Sequence, residues 1–317
     1  MLTPELSVVI CTHNPRPEYL SRTLAALAGQ TLDRGGWELL VVDNASAAQV
    51  AERFDLSFHP RARVVREDTL GLTPARLRGI RETTGATLVL VDDDNVLAAD
   101  YLAGALALAK EWPRLGVWGG QMLPEFEEPP AEWTRRYWNW IGLRKLERDL
   151  WSNVPNDLQT SPFGAGMCVR RPVAEEYARI TASDPLRRSL DRTGGKLFAG
   201  GDSDLALTAC DLGLGSGLFP RLTLTHLMPR GRLTEDYLLQ LTEAMTYSSA
   251  LLRFIREGEI PGTISRSDRL LKKYQSFFIP ERDRRFDRAK QSGRESARRE
   301  IERLQQAKAT LANSSRS

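Results

Sequence analysis

The chain has 317 residues, of which 41% are hydrophobic and 27% are charged, and its formal net charge is +3. This length allows one large α/β domain with additions or two small domains, and the composition is that of a soluble globular protein. The small net charge gives no reason to expect a nucleic-acid partner. Three widely separated cysteines form neither a disulfide framework nor a zinc pattern, so a reducing cytoplasm is the simplest setting. No signal peptide is expected, and no run of about 18 uncharged apolar residues predicts a membrane span.

Short apolar strands alternate with amphipathic helices over the first 121 residues. Strands are predicted at 6–11, 38–42, 62–65, 87–91 and 116–121, and helices at 19–28, 73–84 and 101–110. Near-continuous apolar strands between helices predict a mostly parallel sheet that is covered on both faces. The sequence therefore predicts an α/β fold, a mostly parallel or mixed sheet flanked by helices.

Residues 112–160 break this alternation and contain six of the seven tryptophans. These tryptophans either pack a subdomain or offer an aromatic platform to sugar rings, and the sequence leaves both interpretations open. Further elements are predicted at 163–169 (strand), from 172 (helix), 200–207 (helix), 218–225 (strand) and 234–255 (helix). From residue 266 the chain is highly charged, which predicts a solvated helical extension. Lys272 and Lys273, near Phe277 and Phe278, could instead touch a membrane surface.

Polar and acidic side chains follow each of the first four predicted strands. The groups are Thr12-His13-Asn14, Asp43-Asn44-Ala45-Ser46, Arg66-Glu67-Asp68 and Asp92-Asp93-Asp94. Parallel α/β sheets bind ligands at the carboxyl ends of their strands. A solvated edge would show one or two such clusters by chance, so four in succession favour a binding site.

The acids Asp92, Asp93 and Asp94 follow a buried strand, where carboxylates are costly unless they are paired or bound to a cation. Carboxylate oxygens suit Mg²⁺ or Mn²⁺, which in turn hold phosphates. His226 ends a later strand and could complete the ligand set with Asp94, because imidazole is acceptable to Mn²⁺. The alternatives are a polar loop for the acids and a structural role for His226.

The predicted starts of two helices contain further candidate site residues. Thr73 and Pro74 suit the N-cap and first position of a helix, so Arg76 falls in its first turn, where it could face a diphosphate or pair with an acid. Asp202 and Asp204 open a later helix after two glycines. The helix dipole alone would favour acids there, but a carboxylate at that place could also take a proton from an attacking hydroxyl.

These motifs together resemble the inverting family 2 glycosyltransferases, which have the A-type glycosyltransferase fold. The resemblance covers about residues 5–230, and its strength lies in the order and spacing of the motifs. The matching stretches are 6–14, Val41-Val-Asp-Asn-Ala-Ser46, Gly71-Leu-Thr-Pro-Ala-Arg76, Gly79-Ile80, Val91-Asp-Asp-Asp-Asn95, Phe163-Gly-Ala-Gly166, Gly201-Asp-Ser-Asp-Leu205 and His226-Leu-Met-Pro229.

The resemblance implies roles for several matched residues. It places Thr12, Asn14, Asp43 and Arg76 at the donor nucleotide, Asp92 at its uracil or ribose side, Asp94 on the metal, and Asp202 as the base. Asp93 is a further predicted donor residue, and His226 is the further predicted metal ligand. Trp133, Trp138, Trp140 and Asp204 are the predicted acceptor residues, and Asp204 is also the alternative base. The chain departs from the family pattern at His13, where Tyr is more usual, at Asn95, where a fourth acid is frequent, and at Gly201, where Glu is frequent.

The sequence thus predicts a metal-dependent inverting glycosyltransferase with Mn²⁺ or Mg²⁺ as cofactor. Residues 1–121 would bind the nucleotide sugar, 122–232 would form the acceptor-binding and catalytic half of the same domain, and 233–317 would be a charged helical extension. The expected partners are a UDP-sugar or related donor and a glycan or lipid-linked acceptor, in surface polysaccharide synthesis. The expected place is the cytoplasm, with peripheral contact to the inner face of the membrane left open. A nucleotidyltransferase and a non-catalytic nucleotide or glycan binder are the alternatives.

Overall fold

A computed structural model describes residues 3–262 and 279–314 of the chain. The first part alternates strands and helices as the sequence predicts. Its elements are β1 (Leu6–Thr12), α1 (Pro17–Ala28), a 3₁₀ turn (Arg34–Gly36), β2 (Trp37–Asn44), α2 (Val50–Arg53), β3 (Ala62–Glu67), α3 (Leu72–Glu82), β4 (Thr87–Asp92), β5 (Asn95–Leu97), α4 (Tyr101–Glu111) and β6 (Leu115–Phe126).

The second part contains four short strands, one long strand and the two longest of the described helices. Its elements are a 3₁₀ helix (Glu132–Ile141), β7 (Leu150–Ser152), β8 (Cys168–Arg170), α5 (Arg171–Ser183), α6 (Pro185–Arg188), β9 (Asp191–Thr193), β10 (Lys196–Ala199), α7 (Gly201–Asp211), β11 (Gly215–Met228), a 3₁₀ turn (Arg230–Leu233), α8 (Glu235–Glu257) and α9 (Glu281–Ser314).

One mixed sheet of nine strands organises the described residues. Its order is β3-β2-β1-β4-β8-β6-β11-β5, and β7 pairs with β11. The strands β3, β2, β1 and β4 are parallel neighbours, whereas β8 lies antiparallel between β4 and β6. The parallel half brings the polar ends of β1, β2 and β4 to the same edge, and the hairpin β9–β10 forms a separate two-stranded sheet.

The sheet is covered on both faces because its strands carry apolar side chains on both sides. In β1, Leu6, Val8 and Ile10 belong to one buried cluster while Val9 belongs to another, as the two-residue period of a strand requires. The first cluster includes side chains of α1 and α4, and the second includes side chains of α3, α5 and α7. The prediction of a mixed α/β sheet flanked by helices is confirmed.

The two long helices of the C-terminal part pack against each other. Phe286 of α9 stacks on Tyr137 of the 3₁₀ helix at 4.4 Å between ring centroids, and Ile301 is buried beside α8 residues such as Leu251. Among the residues that the structure describes, no helix combines the length and the apolar character needed to cross a membrane. The predicted membrane-contact residues Lys272, Lys273, Phe277 and Phe278 lie outside the described residues.

Three of the differences from the predicted boundaries bear on the site. The strand expected at 163–169 begins only at Cys168, as β8. Gly166, two residues earlier, has φ +75°, which is not a strand conformation. Helix α3 begins at Leu72 with Gly71 as N-cap, so Thr73 lies inside the first turn and does not cap it. Residue 121, where the first predicted half ends, lies within β6, and the sheet continues through both halves.

Candidate active site

The carboxyl ends of β1 and β4 open into a cavity of about 480 Å³. Other parts of its wall come from the start of α3, the loop before β8, the β9–β10 hairpin and the start of α7. Small-molecule and cofactor sites typically measure about 300–1,000 Å³. The cavity therefore has the size of a ligand site and lies at the edge of the sheet where the sequence predicts one.

The three consecutive acids lie where β4 turns into β5: Asp92 ends β4, and Asp93 and Asp94 form the turn. Asp94 is buried, and its Oδ1 accepts a hydrogen bond from Asn95 Nδ2 at 3.0 Å. Its Oδ2 lies 3.1 Å from Arg232 Nη2 and 3.3 Å from His226 Nε2. The structure thus brings the predicted pair Asp94 and His226 together, and it adds a guanidinium that the sequence analysis missed.

The acids of this turn differ in their proton affinity. Burial and the neighbouring Asp94 raise the pKa of Asp93 to about 7, and the same two causes raise the pKa of Asp92. Burial also acts on Asp94, but His226 and Arg232 outweigh it and hold the pKa of Asp94 well below its usual range. Asp94 is therefore the acid of this turn whose surroundings favour the ionised form.

Asp94 and His226 fit part of a ligand set for a divalent cation. An ionised carboxylate and an imidazole nitrogen 3.3 Å apart suit Mn²⁺, but Arg232 Nη1 already lies 3.0 Å from that nitrogen, His226 Nε2. Within residues 3–262 and 279–314, however, no group of three or more His, Cys, Asp or Glu side chains is arranged to hold a metal ion. A cation here would need further oxygen ligands from substrate or water, and Arg232 would have to share Asp94 with it.

The raised pKa of Asp93 predicts a pH-dependent stability. The pKa of Asp93 is about 3.9 in the unfolded chain and about 7 in the folded protein. The contribution of the protonated side chain to stability is therefore complete below about pH 3.9 and is lost as the pH rises through about 7. An Asp93→Asn variant stays neutral, and its amide oxygen can still accept the hydrogen bond from Thr12 Oγ1. In a chelating buffer the variant should therefore melt several degrees above the wild type at about pH 8 and near it at about pH 4. Parallel melting curves across this range would contradict the assignment.

Of the residues predicted to border the nucleotide, Thr12 lines the cavity, where its Oγ1 donates to Asp93 Oδ2. Asn14 has a left-handed backbone (φ +49°) and binds the loop after β2: its Oδ1 accepts from Ala47 N and its N donates to Ser46 Oγ, each at 2.9 Å. Asn14 thus shapes the loop beside the cavity and is not part of the cavity wall.

Asp43 also serves the loop after β2. Its buried carboxylate accepts hydrogen bonds from Ser46 N at 3.1 Å and Val50 N at 3.2 Å, and Arg66 Nη1 lies 3.0 Å away. Burial alone would raise the pKa of Asp43, but these hydrogen bonds lower it. Asp43 thus holds the loop after β2 and is not part of the cavity wall, and the donor contact predicted for it stays a prediction.

Arg76 lines the cavity and pairs with Asp191, a residue that the sequence analysis did not single out. Arg76 Nη1 lies 3.2 Å from Asp191 Oδ2, and both side chains are buried. Burial disfavours the charged guanidinium, but Asp191 and Asp202 outweigh it and raise the pKa of Arg76. The neighbouring Arg192 is exposed at the cavity, where its charge acts on Asp92 and Asp94.

Asp202 stands at the start of α7 and faces the cavity. Its Oδ2 accepts from Gly164 N at 3.1 Å and its Oδ1 from Ser203 N at 2.8 Å. Each carboxylate oxygen can accept more than one hydrogen bond, so both retain capacity toward a ligand. The position and the chemistry of Asp202 are therefore those required of a general base.

Asp204 does not share this position. It is fully buried, and Arg187 Nη1 lies 2.6 Å from both of its oxygens, with Arg256 Nη1 3.7 Å from Oδ1. Two residues along a helix turn the side chain by about 200°, which sends Asp204 to the opposite side of α7. The prediction that Asp204 contacts the acceptor is corrected: it belongs to a buried ion-pair network outside the cavity wall.

The predicted tryptophan platform is reduced to one residue. Trp133 packs on Phe286 and Trp138 on Phe126, with ring centroids 6.3 Å and 5.2 Å apart, in the cluster that joins the 3₁₀ helix to α8 and α9. Trp140 lines the cavity. Trp133 and Trp138 are therefore packing residues, and the acceptor contact of Trp140 stays a prediction.

Replacing Trp140 and Trp138 should separate these roles. Trp140→Ala should raise the acceptor KM by about 5–30-fold, the effect of losing a stacking contact of roughly 1–2 kcal/mol, and leave donor hydrolysis unchanged. Trp138→Ala, the matched control, should lower the free energy of unfolding by about 3 kcal/mol and leave KM unchanged in the folded protein. Thermal melts and the kinetics of transfer and of donor hydrolysis distinguish the two roles. If Trp140→Ala lost transfer and donor hydrolysis equally, the acceptor contact of Trp140 would be rejected.

The mixed sheet with a strand-end acid cluster, flanking helices and a carboxylate at the start of α7 is consistent with the A-type glycosyltransferase fold. The sequence profile of Glycosyl transferase family 2 matches residues 7–171, which is more than half of the chain. The chain belongs to this family, and the resemblance drawn from its motifs is confirmed.

Several named proteins are similar to the chain. An N-acetylglucosaminyltransferase of Bradyrhizobium diazoefficiens is 26% identical over 209 residues, which are 64% of this chain and 40% of that protein. An N-acetylglucosaminyltransferase of Sinorhizobium fredii is 28% identical over 63% of this chain and 46% of its own length. Glycosyltransferase AglE of Haloferax volcanii is 31% identical over 29% of this chain and 31% of its own length. The chain thus matches less than half the length of each of these relatives.

Proposed function

We propose that the protein is an inverting glycosyltransferase that moves a sugar from a nucleoside diphosphate sugar to a hydroxyl group of an acceptor. The observation that carries the proposal is that one cavity is lined both by the acid turn Asp92–Asp94 with His226 and by the carboxylate of Asp202. The first group suits a cation-bound diphosphate, and the second suits deprotonation of an attacking hydroxyl.

The proposed reaction is a single displacement. Asp202 takes the proton of the acceptor hydroxyl, whose oxygen attacks the anomeric carbon of the sugar while the bond to the diphosphate oxygen breaks. A Mn²⁺ or Mg²⁺ ion on Asp94 and His226 would neutralise charge on the departing nucleoside diphosphate. Arg192 and Arg232 place two guanidinium groups near the same acids, so they are available to the diphosphate.

The substrates are proposed at a coarser level. The names of the relatives make a UDP-N-acetylglucosamine donor the first choice to test. A growing glycan or a lipid-linked sugar is the proposed acceptor, in surface polysaccharide synthesis on the cytoplasmic side of the membrane. This proposal rests on family membership, because the fold alone does not determine the substrate.

A nucleotide-sugar panel with and without Mn²⁺ tests the proposal against its two alternatives. A glycosyltransferase releases the nucleoside diphosphate, by transfer or by slow hydrolysis. A nucleotidyltransferase, assayed in parallel with nucleoside triphosphates and sugar phosphates, releases pyrophosphate. A non-catalytic binder shows saturable binding of the nucleotide and no turnover. Pyrophosphate release, or binding without turnover, would refute the proposal.

A further inference from the structure

Asp191 joins three parts of the cavity wall through one buried carboxylate. Its Oδ2 accepts a hydrogen bond from Thr73 Oγ1 at 2.9 Å and lies 3.2 Å from Arg76 Nη1, both on α3. Its Oδ1 accepts from Gly201 N at 3.0 Å, at the start of α7. The side chain is therefore fixed from both sides, and its contact Gly201 directly precedes the proposed base Asp202.

Arg76 lies between two carboxylates. A Cβ added at Gly164 would be 2.3 Å from Arg76 Nη2 and 3.4 Å from Asp202 Cβ, so these two side chains flank the same glycine. Among the described residues, the ion pair of Arg76 within 4.0 Å is the one with Asp191. A buried guanidinium that loses its partner is strongly unfavourable and will take another carboxylate within reach. For Arg76 the remaining carboxylates are Asp202 and Asp92, of which Asp202 acts on it more strongly.

Gly201 leaves room for the carboxylate of Asp191 because it has no side chain. A Cβ at Gly201 would lie 2.2 Å from Asp191 Oδ2, so any side chain at position 201 would displace the carboxylate of Asp191. Gly201, which precedes Asp202, has no side chain, and the carboxylate of Asp191 from the β9–β10 hairpin occupies the space beside it.

We propose that Asp191 is a positioning residue that holds Arg76 away from Asp202 and thereby leaves the carboxylate of Asp202 free to act as the base. The inference rests on the proposed function, in which Asp202 is the base. The carboxylate of Asp202 acts electrostatically on Arg76 from α3 and on Arg144 from the segment after the 3₁₀ helix. Arg144 donates to Ser161 O at 2.9 Å and lies over the ring of Phe163, so it is held separately.

Asp191→Asn tests the proposal because it removes the charge and keeps the volume. A crystal structure of the variant should show the Arg76 guanidinium in a direct ion pair with Asp202. In kinetic assays kcat should fall by about tenfold or more, because a paired carboxylate is a weaker base, while the donor KM changes much less. The crystal structure needs no activity, so it decides the inference even where the proposed function fails.

A double-mutant cycle separates this role from a general structural one. In an Arg76→Met background, Asp191→Asn should change kcat by less than about twofold, because the cation that would capture Asp202 is absent. Asp204→Asn is the matched control: it also removes a buried carboxylate from an arginine and should lower Tm without lowering kcat of the folded protein. An equal loss of kcat in both backgrounds, or Arg76 unmoved in the crystal structure, would overturn the proposal.

Gly201→Ala is a second, independent variant. Its methyl group should displace the Asp191 carboxylate with every charge retained, so it should reproduce the loss of kcat. If both Asp191→Asn and Gly201→Ala fail to fold, Asp191 is a structural residue and the proposal is wrong.

Discussion

Replacing Asp202 with Asn should lower kcat by about 10²–10⁴-fold, the usual contribution of a general base. The amide cannot take the proton of the acceptor hydroxyl, although its oxygen can still accept one of the two backbone hydrogen bonds from Gly164 and Ser203. The donor KM should change little, because the acid turn and Arg232 lie at another part of the cavity wall. Steady-state kinetics with donor and acceptor varied separately measure both quantities.

Asp204→Asn on the same helix is the control for this experiment. The buried pair with Arg187 predicts a loss of stability rather than of turnover, so a thermal melt should change more than kcat. A crippled Asp204→Asn beside an active Asp202→Asn would show that the base has been assigned to the wrong carboxylate.

Removing the cation should abolish donor turnover, which is the second large effect expected. We predict that activity is lost in EDTA and returns with Mn²⁺ or Mg²⁺, and that Asp94→Asn is inactive in either case. The reason is that Asp94 is the firmly ionised acid of its turn and lies 3.3 Å from the imidazole of His226. Nucleoside diphosphate release, followed during chelation and readdition of metal, measures the effect.

Arg232 provides the control for the metal prediction. Its guanidinium already faces Asp94 Oδ2 at 3.1 Å and could neutralise a diphosphate without any metal. Full activity in EDTA combined with inactivity of Arg232→Gln would contradict the metal role and transfer it to this arginine. Thermal melts of both variants are needed, because Asp94 and Arg232 each leave a buried partner when they are replaced.

The position of the site could be predicted from the sequence because it follows from local patterns. Apolar strands such as 87–91 identify a parallel sheet, and the carboxyl ends of its strands lie at one edge. Thr12 and the acid turn Asp92–Asp94 were found in this way, and the structure places them in one cavity. The start of a helix after two glycines likewise located Asp202.

The partners of these residues could not be predicted, because they come from segments whose apolar residues show neither helical nor strand spacing. Asp191 and Arg192 reach the cavity on a short hairpin that turns at Gly194 and Gly195, both with positive φ. The one sequence feature that could have indicated this hairpin is the stretch from Asp191 to Lys196, which has charged residues around a Gly-Gly pair. Arg232 lies in a 3₁₀ turn six residues after His226 and had no signal beyond its charge.

Residue type alone also could not give the contacts of several side chains. Asp43 and Asp204 are acids at a strand end and a helix start, as Asp92 and Asp202 are, but backbone amides or Arg187 use their carboxylates. Thr73 has the chemistry of an N-cap, yet the helix starts earlier and its hydroxyl donates to Asp191. Only the three-dimensional contacts distinguish a carboxylate that faces a cavity from one that holds a loop.

The anomeric configuration of the released sugar tests the central claim most directly. The protein is incubated with UDP-N-acetylglucosamine, or with whichever donor of the panel turns over, and the first sugar released is followed by proton NMR before mutarotation. A single displacement by a hydroxyl activated at Asp202 predicts inverted configuration, nucleoside diphosphate in equal amount, and neither product from Asp202→Asn. Retained configuration, or unchanged turnover by Asp202→Asn, would contradict the account.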